Sequence, residues 1–184
     1  IGDGQTVFAP WSADNIGLLT EDGLTEIKLP SYVANTTAKF WGAALTMNSK
    51  GEKIAVFPTH LARDVSGTRY DCLIYNVVTG GISWGPQSNV QSSDPLYSAA
   101  CTLVDLRVVA APYSSDQVLL YDPVANLSVH HKLPGVPKAY AGATRYGSEV
   151  VFSPWDANRF YRFNPAGWSS EFGPDLSKYG SGKF

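Results

Sequence analysis

Pro10-Trp11-Ser12-Ala13-Asp14 returns three more times along this 184-residue chain, as Pro58-Thr59-His60, Pro112-Tyr113-Ser114-Ser115-Asp116 and Pro154-Trp155-Asp156-Ala157-Asn158. Each copy closes a short β-forming run: TVFAP, KIAVFP, RVVAAP and EVVFSP. Three copies lead directly into a second run, IGLL, VLLYDP and FYRFNP. The prolines stand 48, 54 and 42 residues apart. Self-similarity at this period, in units that read as strands only, marks a repeat architecture.

Aligned on the proline, each unit resolves into four strands. The first is rich in small residues: FWGAALTM (40–47), YSAACTLV (97–104) and YAGATRY (140–146). A turn follows, such as Asn48-Ser49-Lys50-Gly51-Glu52 or Tyr146-Gly147-Ser148-Glu149, and the proline-ended strand is second. LIYN, LLYD or YRFN is third, and a short fourth run closes near another proline. Alternation with Gly, Asn, Asp and Pro between the runs is the expected strand-and-turn signal. The class is all-β, and strand-only units of this length are blades of a β-propeller.

The two ends of the chain are in phase. Residues 178–184, KYGSGKF, read as a first strand, and residues 1–10, IGDGQTVFAP, read as the turn and second strand that should follow. About four blades of four antiparallel strands are therefore predicted. Blade 1 comprises 178–184 plus 1–30, blade 2 covers 39–86, blade 3 covers 96–134 and blade 4 covers 139–174. The C-terminal strand would pair into the N-terminal blade and close the ring without a free edge. A fragment of a larger ring, or two copies combining, would leave the same phase. Blade 2 carries an insertion of about eight residues over His60–Tyr70, with Arg63, Asp64 and Arg69, read either as a solvated excursion or as a functional loop on a rigid scaffold.

These units resemble blades of the broad WD40, Kelch and YVTN-like kind. Lys50-Gly51-Glu52 and Gly147-Ser148-Glu149 match the hairpin between strands one and two, and Asp14, Asp116 and Asn158 match the lead-in to strand three. The likeness is architectural, because the Gly-His and Trp-Asp pairs of WD40 are missing. It implies that strand one lines a central channel. It also implies that the loops after strand two and before strand one open on one face.

That face would carry aromatic platforms beside short polar side chains. Trp11, Tyr113 and Trp155 come from the first loop set, with Asp14, Asp116 and Asn158 near them; Trp41, Tyr97 and Tyr140 come from the second. Aromatic rings offer an apolar plane to a sugar, while Asp, Asn and Ser bind hydroxyls. The expected role is a non-enzymatic binding module for a glycan or a protein partner, Tyr and Trp being favoured interface anchors. The alternative is a structural or assembly domain of a larger particle, such as a virion or tail; a glycan-acting enzyme comes third. The same rings could instead seal neighbouring blades.

Composition narrows the rest. With 44% hydrophobic and 16% charged residues, the chain is a folded domain. A net charge of −2 without a basic run gives no footprint for nucleic acid. Apolar runs fall far short of the ~18 residues of a spanning helix, so no membrane partner is expected. Asp14, Asp116 and Asp156 are single oxygens from separate units, so no metal is expected, and no cofactor motif appears. No catalytic residue is assigned, since His130 and His131 would point to opposite faces of one strand. Cys72 and Cys101 are expected as free thiols. The chain begins at Ile1 without an initiator Met, which suits a processed piece. An extracellular or particle-surface setting fits its polar, uncharged character, and whether it acts as an oligomer or inside a larger chain stays open.

Overall fold

Hydrophobic alternation and turn chemistry organise the chain into four small antiparallel sheets. A computed structural model describes residues 4–33, 36–90, 94–132, 140–180 and 182. The first sheet holds β1 (Thr6–Phe8), β2 (Asn15–Thr20) and β3 (Gly23–Lys28). The second holds β4 (Ala44–Met47), β5 (Lys53–Pro58), β6 (Cys72–Asn76) and β7 (Ile82–Trp84). The third holds β8 (Tyr97–Thr102), β9 (Val108–Pro112), β10 (Gln117–Asp122) and β11 (Leu127–Lys132). The fourth holds β12 (Tyr140–Tyr146), β13 (Glu149–Pro154), β14 (Arg159–Asn164) and β15 (Ser169–Asp175). Within each sheet every strand pairs with its neighbour in sequence, so each sheet is a meander.

The hairpin tips repeat a local device. Asn76, Asp122 and Asn164 end the third strands, and each side-chain Oδ1 accepts from amides two and three residues on, at 2.9–3.3 Å. Four residues after each, the backbone is left-handed: Gly80 at φ 73, Asn126 at φ 51 and Trp168 at φ 50. A short polar side chain thus replaces the backbone turn bond, and the αL residue reverses the chain.

The sheets stack face to face. Between the first and second lie Ile16, Leu29, Phe40, Phe57, Leu73 and Tyr75. Between the second and third lie Ile54, Val56, Cys72, Val108 and Tyr121. Between the third and fourth lie Val109, Leu120, Val150, Phe152, Tyr161 and Phe163. Alternate residues of one strand therefore serve opposite joints, so Val108 faces back and Val109 faces forward. Hydroxyls lace the innermost strands of adjacent blades, and one reaches the β8–β9 turn. Ser98 Oγ donates to the Tyr140 carbonyl at 2.5 Å, Thr102 Oγ1 donates to the Leu45 carbonyl at 2.6 Å, and Thr46 Oγ1 donates to the Leu106 carbonyl.

Two features depart from the sequence reading. The strand expected over 178–184 to complete the first blade is not among the described elements. Ser177–Tyr179 form a 3-10 turn, and Gly180 and Gly182 take left-handed φ of 76° and 62°, which interrupts an extended run. Residues 1–3, 181, 183 and 184 lie outside the described residues, and the described part of the first sheet has three strands. The second departure is the short β4. Phe40 makes an isolated bridge to Thr59, and the chain then bends through Trp41-Gly42-Ala43 before the strand resumes. Gly42 lets this bend lie close against β8, because a Cβ there would lie 3.0 Å from Ala99 Cα and 3.1 Å from the Ser98 carbonyl.

Candidate functional site

The repeat converges on one end of the stack, but with a one-residue correction. In the third and fourth blades the inner strand begins by pairing Tyr97 with Pro112 and Tyr140 with Pro154. In the second blade the matching pair is Phe40 with Thr59, not Pro58. Backbone bonds agree: the His60 amide donates to the Lys39 carbonyl as the Tyr113 amide donates to that of Leu96. The carbonyls of Trp11 and His60 in turn accept from Lys39 and Leu96, the residues that precede the next inner strand. His60 is thus the second-blade counterpart of Trp11, Tyr113 and Trp155. Alignment on the proline hid this, because the bulky ring sits one step later in that copy. The spare aromatic in Thr59-His60 was the signal that could have found it.

These four rings meet a fifth. Trp41, from the bend before β4, lies 5.1 Å from Trp11, 5.3 Å from His60, 5.2 Å from Tyr113 and 6.2 Å from Trp155, centroid to centroid. His60 is also 5.0 Å from both Trp11 and Tyr113. Edge-on and tilted contacts dominate, the arrangement favoured by the ring quadrupole. Trp11 is 44% exposed, Trp41, Tyr113 and Trp155 are half-buried, and His60 is 2% exposed and forms the floor.

His60 is fixed from below. Its Nδ1 lies 2.7 Å from the Tyr97 carbonyl, which can only accept, so Nδ1 carries the proton and Nε2 is left an acceptor. Burial, reinforced by the Arg69 guanidinium, holds its pKa below the ordinary histidine value. The ring is therefore neutral at pH 7 and behaves as another aromatic plate.

Trp11 is positioned by a buried lysine. The Lys39 amide donates to the Trp11 carbonyl at 2.7 Å. Its ammonium lies 3.3 Å from the Ser12 and Ala13 carbonyls and 3.1 Å from Asp14 Oδ1. Asp14, expected as a ligand for hydroxyls, is thus engaged by Lys39. Asp116 pairs across its strand end with Lys132 at 3.4 Å, and Asn158 is exposed, its carbonyl accepting from the Leu176 amide.

Tyr97 and Tyr140 do not join the face. Both are almost fully buried, with their rings turned into the core because each starts an inner strand whose first side chain points between sheets. Burial raises the pKa of both phenols. The insertion after His60 packs at its two ends, while its tip at residues 65–67 is exposed. Ala62 enters the core between the first two blades, and Asp64 Oδ1 accepts from the Ser66 and Thr68 amides at 2.9 Å to close the loop. Arg69, 3% exposed, donates to the Asp94 carbonyl at 2.9 Å. Among the described residues no group of three or more His, Cys, Asp and Glu is placed to hold a metal ion.

Solved structures of similar shape place the fold in a known class. A streptogramin B lyase superposes with TM-score 0.66 at 15% identity, over 96% of this chain and 52% of that one. An auxiliary nutrient binding protein from Bacteroides thetaiotaomicron gives 0.63 at 7%, over 94% and 40%. The RRP9 WD40 repeats give 0.63 at 12%, over 92% and 47%. The chain has the β-propeller fold. It spans about half the length of these propellers. No family profile and no curated protein matches the sequence. At such identities only the fold is shared, and a propeller carries unrelated activities.

Proposed function

We propose that this propeller is a binding module whose ligand, a glycan, lies across the aromatic face formed by Trp11, Trp41, Tyr113 and Trp155. One observation carries the reading: rings from all four blades, spread over the whole sequence, gather around Trp41 at one end of the stack. Such a surface presents several adjacent apolar planes with Ser12, Ser114 and Asp156 at their margins. Sugar rings offer matching C–H faces flanked by hydroxyls. The nutrient-binding neighbours use the same fold for a binding role, which is consistent with this reading.

A broad glycan array followed by calorimetry tests it. Selective binding is expected, weakened about tenfold or more (~1.4 kcal/mol per tenfold) in Trp41→Ala and in Trp155→Ala. Near-UV dichroism of the β-core tyrosines should be retained in both variants. An array without hits, from folded protein, would defeat the glycan reading and favour a protein partner for the same rings.

A further inference from the structure

The centre of the aromatic face holds an acceptor that the chain leaves unfilled. His60 Nδ1 donates to the Tyr97 carbonyl at 2.7 Å, so Nε2 keeps a lone pair. Among the described residues nothing donates to Nε2, and it is not one of the unpartnered polar atoms sealed from solvent. The 2% of His60 that stays exposed therefore includes this nitrogen. Burial and the Arg69 guanidinium keep the ring neutral, which preserves the lone pair at pH 7.

The well above it is narrow. Trp11, Trp41 and Tyr113 stand 5.0, 5.3 and 5.0 Å from the imidazole, centroid to centroid. Trp41 is in turn 5.1 Å from Trp11 and 5.2 Å from Tyr113. Rings at these separations touch one another, so a pyranose cannot enter between them and only a single projecting group reaches Nε2. The carboxylates around the rim are already engaged. Lys39 holds Asp14, Lys132 pairs with Asp116, and the Gly182 amide donates to Asp156 Oδ1 at 3.3 Å.

Resting on the glycan reading of this face, we propose that His60 determines its specificity. Nε2 accepts the O–H of an exocyclic hydroxymethyl group, and the ligand is a hexopyranoside with a free primary hydroxyl. Aromatic planes hold a sugar by its C–H face and tolerate many hydroxyl patterns. A buried acceptor discriminates, because a ligand without the donor leaves it desolvated and unpaired. The primary hydroxyl stands one carbon out from the ring, which gives it the reach that ring hydroxyls lack.

Three glycoside pairs on one array test this: β-glucoside with β-xyloside, β-galactoside with α-L-arabinopyranoside, and α-mannoside with α-lyxoside. Each pair differs only in the hydroxymethyl group. At least one hexoside should bind, and its pentoside partner should bind about tenfold or more weakly. His60→Phe keeps the plate and removes the acceptor, so it should erase that preference. His60→Gln gives up the plate but can still donate to the Tyr97 carbonyl and accept from the ligand, so it should retain the preference. In the unsubstituted protein, the ¹⁵N resonance of His60 Nε2 should move with the hexoside and stay fixed with the pentoside. Equal binding of both partners would overturn the proposal and leave the glycan reading standing, as would a preference kept by Phe and lost by Gln. Binding elsewhere on a broad array, with all six glycosides silent, would do the same. An array silent throughout would overturn both.

Discussion

Lys39 is the clearest test of how the aromatic face is held. Its side chain is 1% exposed, yet its ammonium meets three oxygens: two carbonyls at 3.3 Å and Asp14 at 3.1 Å. Lys39→Met keeps the aliphatic stem and removes the charge. A charge-assisted hydrogen bond contributes ~1.5–3 kcal/mol, and these are long, which favours the lower end. Against this stands the cost of burying the ammonium, which methionine does not incur. The net expectation is a loss of about 2–4 kcal/mol. For a chain of this size that is ~2–4 °C per kcal/mol, so melting should fall by about 5–15 °C. Asp14 is 62% exposed, so Asp14→Asn should cost under ~1 kcal/mol. Urea titrations followed by tryptophan fluorescence would measure both. Lys39→Met within 0.5 kcal/mol of the parent would refute the reasoning, since desolvation would then have cancelled all three contacts.

Other outcomes follow from named contacts. Stability should fall as pH drops through ~6.5, because the unfolded chain protonates His60 while the fold, holding its pKa low, resists. His60→Gln should flatten that slope by at most ~1.4 kcal/mol per pH unit, and an unchanged slope in denaturant titrations would show that His60 is not responsible. Gly42→Ala should cost about 1–3 kcal/mol, as the new methyl meets the Ala99 and Ser98 backbone at 3.0 and 3.1 Å. Gly81→Ala, which meets only the Thr79 hydroxyl, should cost less in the same melts. Both thiols should resist a thiol-specific chromogenic reagent at pH 8 and react fully in denaturant. Cys72 is completely buried, and burial pushes the Cys101 thiol up to about 11.

The four-sheet architecture was legible because strand and turn signals are local. Pro112 and Pro154 do end their strands, and LIYN, LLYD and YRFN do lead into turns made by their last residue. Four of the five clustered rings, Trp11, Trp41, Tyr113 and Trp155, were legible for the same reason. His60 was not, since its blade is shifted by one residue and only the ladder reveals the phase. Tyr97 and Tyr140 were misplaced because sequence puts a residue at the start of a strand without saying which side of the sheet it enters. Asp14 shares its copy of the motif with Trp11, but its engagement depends on Lys39, 25 residues away. The C-terminal run reads as a strand by composition, while Ser177–Tyr179 form a 3-10 turn and residues 181, 183 and 184 lie outside the described residues.

The hydroxyl laces between inner strands have a mechanical consequence. A continuous ladder between neighbouring blades would weld them at one angle. Ser98, Thr46 and Thr102 instead fasten adjacent blades at isolated points, each through a single rotatable side chain. These fastenings lie apart from the backbone bonds that join neighbouring blades at the aromatic end, Lys39 to Trp11 and Leu96 to His60. Loss of one hydroxyl therefore loosens a single joint at the channel side and leaves every strand pair of both blades intact.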